Sequence, residues 1–239
     1  MSLFTASSEM AYGEQAALLG VLTSLKPTLS LELGTYRGGS LTHIAAHSEE
    51  VHSFDLASHT AYATPNVTYH IGDTRTTVPR VLGELASRQR NVDFVLVDAD
   101  HSRRGVEADM RNLFHSPAVT QTVILLHDCA NEAVREGARR AIQQASGIAY
   151  ADLSFVRPNV RSPLVAEAWG GLGIVVVDPN QSLWRLQRHI LDNVHWRTSE
   201  QRSMAWKVLA PARAAKRELL YRARPLYRRL YGTRGAPLP

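Results

Sequence analysis

The chain has 239 residues, 44% of them hydrophobic and 21% charged, which is enough to bury one substantial core and is far from the composition of a disordered chain. Its single cysteine, Cys129, excludes an internal disulfide. The net charge of +5 is unevenly carried: residues 1–180 hold 14 Lys and Arg against 19 Asp and Glu, a net of −5, and residues 181–239 hold 13 against 3, a net of +10. A mildly acidic body lacks the basic active face of a nucleic-acid enzyme, and no nucleic-acid partner is expected. The opening stretch has no basic segment followed by an apolar one, and no apolar run approaches the roughly 18 residues of a spanning helix. With the lone cysteine, this predicts a cytoplasmic protein.

In chain order, a helix is expected over about residues 9–25. The stretch "TLSLELG" then reads as a strand, with Leu29, Leu31 and Leu33 alternating with Ser30, Glu32 and Gly34. The glycine-rich "GTYRGG" follows as a turn, and "SLTHIAAH" has helical spacing. The segments "VHSFDL", "NVTYHIG", "VDFVLVDAD" and "TVILLHD" are each short, rich in Val, Ile, Leu and Phe, and followed by helical spacing, the last of these helices over about residues 131–145. "DLSFVRP" and "GLGIVVVD" close the core. Strands alternating with helices predict an α/β fold: a Rossmann-like, doubly wound, seven-stranded and mostly parallel sheet with helices on both faces. Residues 1–180 are expected to form this domain, and residues 181–239 a basic helical extension.

Ligands of such sheets bind outside the carboxyl ends of the strands, and those ends carry a concentration of polar groups. They are Glu32 and Gly34, then Asp55, then Gly72 and Asp73, then Asp98, Asp100 and His101, and finally His127 and Asp128. Any one Asp here can be a helix cap. Five acidic ends side by side would repel one another unless cations or hydroxyl-rich ligands sat among them. The glycine turn lets a ligand approach the backbone, but "GTYRGG" does not give the G-x-G-x-x-G spacing of a dinucleotide site. Asp55, about twenty residues on, suits ribose hydroxyls, so a nucleoside ligand is favoured.

Taken together, "LELGTYRGGSL", "FDL", "IGD", "VDFVLVDADHSRRGVEAD", "VILLHD" and "GGLGIVVVD", in order from about residue 28 to 177, resemble the class I S-adenosylmethionine-dependent methyltransferases. Within these, "DFVLVDADHS" joined to "LLHD" is similar to the metal-dependent sugar O-methyltransferase branch, with the macrolide-sugar O-methyltransferases and cephalosporin-hydroxylase-like proteins. The resemblance implies that Glu32 and the backbone from Gly34 to Gly38, with Thr35, Tyr36 and Ser40, hold the methionine end of S-adenosylmethionine. It implies Asp55 for the ribose, Asp73 after Gly72 for the adenine amino group, and Asp98 at the cofactor's edge. It also implies a divalent cation, Mg²⁺ first, on Asp98, His127 and Asp128. Relatives more often have two oxygen ligands where His127 and Asp128 stand, and imidazole suits Zn, Mn, Fe or Ni better than it suits Mg²⁺.

The implied reaction is attack of a hydroxyl on the sulfonium methyl, with His101 as base, His127 as the competing base and Asp100 either orienting His101 or approaching the metal itself. The implied acceptor is a sugar, a glycosylated metabolite or a polysaccharide. A small phenolic acceptor, or a non-catalytic protein that binds the cofactor, are the alternatives. His43, His47, His52, His59, His70 and His115 read as surface groups, Arg103 and Arg104 as a solvated helix face, and Cys129 as a small buried side chain. The segment from Val156 to Gly171 reads as a substrate loop in which Trp169 stacks on a sugar or plugs the core edge. Residues 1–13 read as a lid or a contact in a homodimer. In the tail, "ARAAKRELLYRARPLYRRLYG" is a basic amphipathic helix interrupted near Pro225, suited to an anionic membrane surface, to a polysaccharide or acyl chain, or to packing on the body or a dimer partner.

Overall fold

The computed structural model describes residues 9–58, 64–158 and 168–180. The chain divides into two compact units, Met1–Trp196 and Arg197–Pro239. The basic tail, the first eight residues, His59 and the middle of the expected substrate loop lie outside the described residues, and with them the expectations of a tail helix and a lid.

The described chain runs α1 (Tyr12–Leu25), β1 (Leu29–Leu33), α2 (Gly39–His47), β2 (Glu50–Asp55), β3 (Val67–Ile71), α3 (Thr74–Ser87), β4 (Phe94–Val97), α4 (Arg103–Phe114), β5 (Thr122–Leu126), α5 (Glu132–Gln144), β6 (Ile148–Val156) and β7 (Leu172–Val177). Seven strands form one sheet in the order β3-β2-β1-β4-β5-β7-β6. Neighbours from β3 to β5 are parallel, and β7 is antiparallel to both β5 and β6. The expected doubly wound sheet is therefore present, with its reversed strand inserted near one edge.

Strand alternation explains the two layers. Leu29, Leu31 and Leu33 of β1, Val95 and Val97 of β4, and Ile124 and Leu126 of β5 point to one face, where they meet Val78 and Leu82 of α3, Met110 of α4 and Ala138 of α5. Phe94, Leu96 and Leu125 point to the other, against Leu18 and Leu22 of α1 and Leu41 and Ile44 of α2. Helix starts are fixed by side-chain caps: Asp73 accepts the Arg75 N–H at 2.9 Å, Ser102 the Gly105 N–H at 3.0 Å, and Asn131 the Ala133 N–H at 3.0 Å. Among the described residues no helix is long and apolar enough to cross a membrane.

One histidine expectation is corrected. His43 of α2 is 7% exposed: it stands one helical turn (i+4) after the buried Gly39, on a helix whose Leu41, Ile44 and Ala45 are buried as well. His52 and His70 are half-buried on adjacent strands, joined Nδ1 to Nε2 at 2.8 Å. Cys129 is buried as expected; burial pushes its thiol up to about 12.

The strand ladders continue one residue past β1, β4 and β5. Gly34 N–H donates to Phe54 C=O (2.8 Å), Asp98 N–H to Leu33 C=O (2.7 Å) and His127 N–H to Val97 C=O (3.0 Å). These bonds set Gly34, Asp98 and His127 in a row at the carboxyl edge. The chain reverses winding direction between β1 and β4 at this edge, which is where open α/β sheets form their binding crevice.

Candidate functional site

The glycine turn is built over a buried acid. Glu32 is fully inaccessible, and its two oxygens accept the hydroxyls of Ser40 (2.6 Å) and Ser53 (2.8 Å). Burial outweighs those two hydrogen bonds and pushes the carboxyl up to about 8, so it is mostly protonated at neutral pH. Thr35 closes the cluster through its own hydroxyl contact with Ser53. Glu32 thus ties β1, β2 and the start of α2 together from beneath the turn. Above it, Gly34 has φ +95°, and a Cβ there would run into the Asp98 carbonyl.

Asp55 ends β2. Its Oδ2 accepts the Tyr36 N–H at 2.7 Å and its Oδ1 the Ala57 N–H at 3.2 Å, leaving lone pairs on both oxygens. Tyr36 sits at φ 45° in the turn, and its ring is 47% exposed. Asp73 behaves as a helix cap: besides the backbone bond, its carboxylate pairs with the Arg75 guanidinium, whose hydrogen bonds hold it below the usual range. Gly72 precedes it at φ +146° and donates its N–H to the Asp55 carbonyl at 2.8 Å.

At the ends of β4 and β5 the structure brings five side chains into one network. Asp98 Oδ1 lies 3.1 Å from His101 Nε2 and 3.1 Å from His127 Nδ1. Asp128 Oδ2 lies 3.2 Å from His101 Nε2 and 3.7 Å from His127 Nδ1, while its Oδ1 accepts the Gly170 N–H at 2.5 Å. On its far side, His127 Nε2 meets Glu14 Oε2 at 3.3 Å. Asp98, His127 and Asp128 each offer a donor atom within 4.8 Å of the other two.

The charges follow from this packing. Burial would raise the Asp98 carboxyl, but the neighbouring His127 charge and the His101 hydrogen bond bring it down to about 2. Burial would lower His127, yet the Asp98 charge and the bonds to Asp98 and Glu14 hold it well above an ordinary imidazole. His101 is raised against its own burial by the same carboxylates, Asp98 first. Asp100 is turned away: it accepts the Ser102 N–H at 2.8 Å and packs on Gly105. Asp98 and Asp128, rather than Asp100, hold His101.

Of the groups that complete the site, Glu14 alone escapes a reading by motif; the Gly170–Gly171 turn and Trp169 are marked by the sequence without their partners. Glu14 comes from α1; Gly170 and Gly171 precede β7 and give their N–H groups to Asp128 and Glu14. Trp169, 43% exposed, stands edge-on to His101 with ring centroids 5.5 Å apart. The sequence does carry a signal for Glu14, because Glu14, Leu18 and Leu22 fall at i, i+4 and i+8 on the buried stripe of α1. An acid in such a stripe needs a partner.

Residues 31–129 match the family model described as a methyltransferase domain. The fold is shared with cofactor-bound Rv0187 from MTB (18% identity over 74% of this chain and 84% of that one, TM-score 0.51). It is shared also with the O-methyltransferase from Bacillus cereus solved in complex with SAH (16%, 72% and 84%, TM-score 0.51). MycE methyltransferase of the mycinamycin biosynthetic pathway, solved with Mg, SAH and mycinamycin VI, is similar at 14% identity over 73% of this chain but 52% of its own length, with a TM-score of 0.50. No curated protein matches the chain. The seven-stranded sheet with its reversed strand is the fold shared with these structures. The segment matched as a methyltransferase domain begins in β1 and ends just past β5.

Proposed function

We propose that the chain transfers the methyl group of S-adenosylmethionine to a hydroxyl of a sugar or glycosylated metabolite, with His101 as the base and a divalent cation on Asp98, His127 and Asp128. The observation that carries this reading is the convergence of His101, Asp98, His127 and Asp128 at one strand edge, directly beside the glycine turn. An S-adenosylmethionine-binding partner protein without catalysis has no use for an imidazole held between two carboxylates.

The residues fit both groups. Asp55 has acceptor capacity for paired ribose hydroxyls beyond its two backbone bonds. Asp98 is ionised, and two oxygen donors and one nitrogen donor suit a divalent ion. When bound, the cofactor supplies the electrophilic methyl, and the cation lowers the pKa of the acceptor hydroxyl.

The chain's own residues do the rest. His101 Nε2–H donates to Asp98 and Asp128, so the neutral ring takes the hydroxyl proton at its other nitrogen, Nδ1, and the two carboxylates stabilise the imidazolium that results. Trp169 presents an exposed indole edge-on to the His101 ring, a platform for the apolar face of a sugar ring. MycE, which shares the fold, was solved with mycinamycin VI, and this supports a glycosylated acceptor over a simple phenol.

The test is methyl transfer to a panel of sugar and phenolic acceptors, beside calorimetric titration with S-adenosylmethionine. Asp98→Ala and Asp128→Ala are expected to lower kcat by at least about 10²-fold, as loss of a positioned proton-transfer or charge-stabilising group does, with cofactor affinity largely kept. Turnover of phenols alone would overturn the sugar acceptor. Undiminished turnover in both variants and in a chelator would overturn the cation's role.

A further inference from the structure

Glu14 is held by groups that can only donate. Ala11 N–H donates to Oε2 at 2.7 Å, Gly171 N–H donates to Oε1, and both are backbone amides. The carboxylate is nearly inaccessible, 3% exposed, and its remaining polar neighbour is His127 Nε2 at 3.3 Å. A buried carboxylate whose partners are N–H groups requires the same of the imidazole, so Nε2 carries the proton. The other ring nitrogen, Nδ1, then faces Asp98 Oδ1 at 3.1 Å and Asp128 Oδ2 at 3.7 Å. With Nε2–H committed to Glu14, Nδ1 meets these two carboxylates either as the second N–H of an imidazolium or, once a divalent cation displaces that proton, as a lone pair toward the cation. Donors lying about 2.1 Å from a common ion stand about 3–4 Å apart, the range in which Nδ1 lies from each of the two carboxylate oxygens.

We infer that Glu14 is a positioning residue that fixes the tautomer and ring plane of His127, so that Nδ1 joins Asp98 and Asp128 as a nitrogen donor. The cation held is therefore one that accepts imidazole, such as Mn²⁺, Co²⁺ or Zn²⁺, in preference to Mg²⁺. This rests on the cation site proposed above and specifies its ion. The arrangement is a carboxylate–histidine–metal relay, in which the outer carboxylate sets ligand orientation and basicity. It also connects α1 and the Gly170–Gly171 turn to the cation, since Glu14 holds all three.

The experiment uses the full chain stripped with a chelator, titrated with Mn²⁺, Co²⁺, Zn²⁺ and Mg²⁺ by calorimetry, with the Co²⁺ absorption spectrum and the histidine ¹⁵N shifts as structural readouts. Expected are at least about 100-fold tighter binding of Co²⁺ and Zn²⁺ than of Mg²⁺, and a shift of the His127 Nδ1 resonance on Zn²⁺ addition. Glu14→Gln should weaken Co²⁺ and Zn²⁺ by about 10–100-fold while S-adenosylmethionine affinity stays within a few-fold. Should Glu14→Gln fold poorly, His127→Asp makes the donor set all oxygen and is expected to reverse the preference toward Mg²⁺. Equal binding of Mg²⁺ and Zn²⁺ with no Nδ1 shift would overturn the role given to Glu14 and leave the cation site standing. Failure of every ion to bind, with S-adenosylmethionine still bound, would overturn the cation site itself.

Discussion

Gly34 shows how much of the site depends on a single missing side chain. Its φ of +95° is open to glycine and costly for other residues, and its Cα lies against the Asp98 backbone, where a Cβ would collide with the carbonyl. The backbone neighbour cannot rotate away, because Asp98 N–H is itself bonded to Leu33 C=O at 2.7 Å. Gly34→Ala must therefore push β1 and β4 apart at their carboxyl ends and move Asp98 with them. The expected result is a stability loss of about 2–4 kcal/mol by urea unfolding, together with weakened cofactor binding. Asp128 is a second strained position, at φ 58°, where Asp is among the few residues that tolerate the left-handed region. Its conformation turns the carboxylate back toward His101 and Gly170. Motif reading found Asp98, His101, His127 and Asp128 because they lie within a few residues of strand ends. It did not find Glu14, which reaches His127 across 113 positions of sequence, a distance that only the docking of α1 on the sheet can close.

At the level of elements, strands and helices were legible because burial on both faces of a parallel sheet writes short apolar runs, and amphipathic helices write a 3.6-residue stripe. Helix ends were less so. The first helix begins at Tyr12 rather than near residue 9, since Glu14 turns back to cap the Ala11 N–H. Asp73, expected at the cofactor's adenine, is engaged by Arg75 at the start of α3, a cap whose signature is the same Asp after a strand. Helix–helix spacing was not legible at all. Gly137 of α5 touches the first turn of α4 so closely that a Cβ would strike the Arg103 carbonyl and stand 3.0 Å from the Val106 Cβ. In an exposed helix Gly→Ala stabilises by about 1 kcal/mol through propensity alone. Here overpacking should reverse the sign, and Gly137→Ala is expected to destabilise by about 1–3 kcal/mol in a denaturant titration. A gain in stability would show that α4 and α5 can move apart freely.

For the domain as a whole, two buried acids set how stability varies with pH. Burial pushes Glu32 up to about 8 from 4.5, and pushes Asp109, on the inner face of α4, up to about 7 from 3.8, with Asp100 and Asp73 adding to the rise. In both cases the folded state binds a proton that the unfolded chain has already released over the interval between the two values. The stability they contribute is therefore fully present below about pH 4 and is lost as pH rises to about 8. Asp98 works the other way at the acid end, since its depression to about 2 contributes stability that is lost only as pH falls below its ordinary 3.8. Between pH 5.5 and 8.5 the Tm should fall by on the order of 10–20 °C, given about 1.4 kcal/mol per pH unit for each retained proton and about 2–4 °C per kcal/mol for a domain of this size. His101 and His127, both raised, push in the same direction, so the assignment rests on variants. Glu32→Gln keeps a neutral amide between Ser40 and Ser53 and should flatten the upper part of the profile. Asp109→Asn should flatten the part below about 7. Parallel curves for wild type and both variants would mean that the alkaline loss of stability arises at the histidines, and that the protonated Glu32 beneath the glycine turn contributes nothing to it.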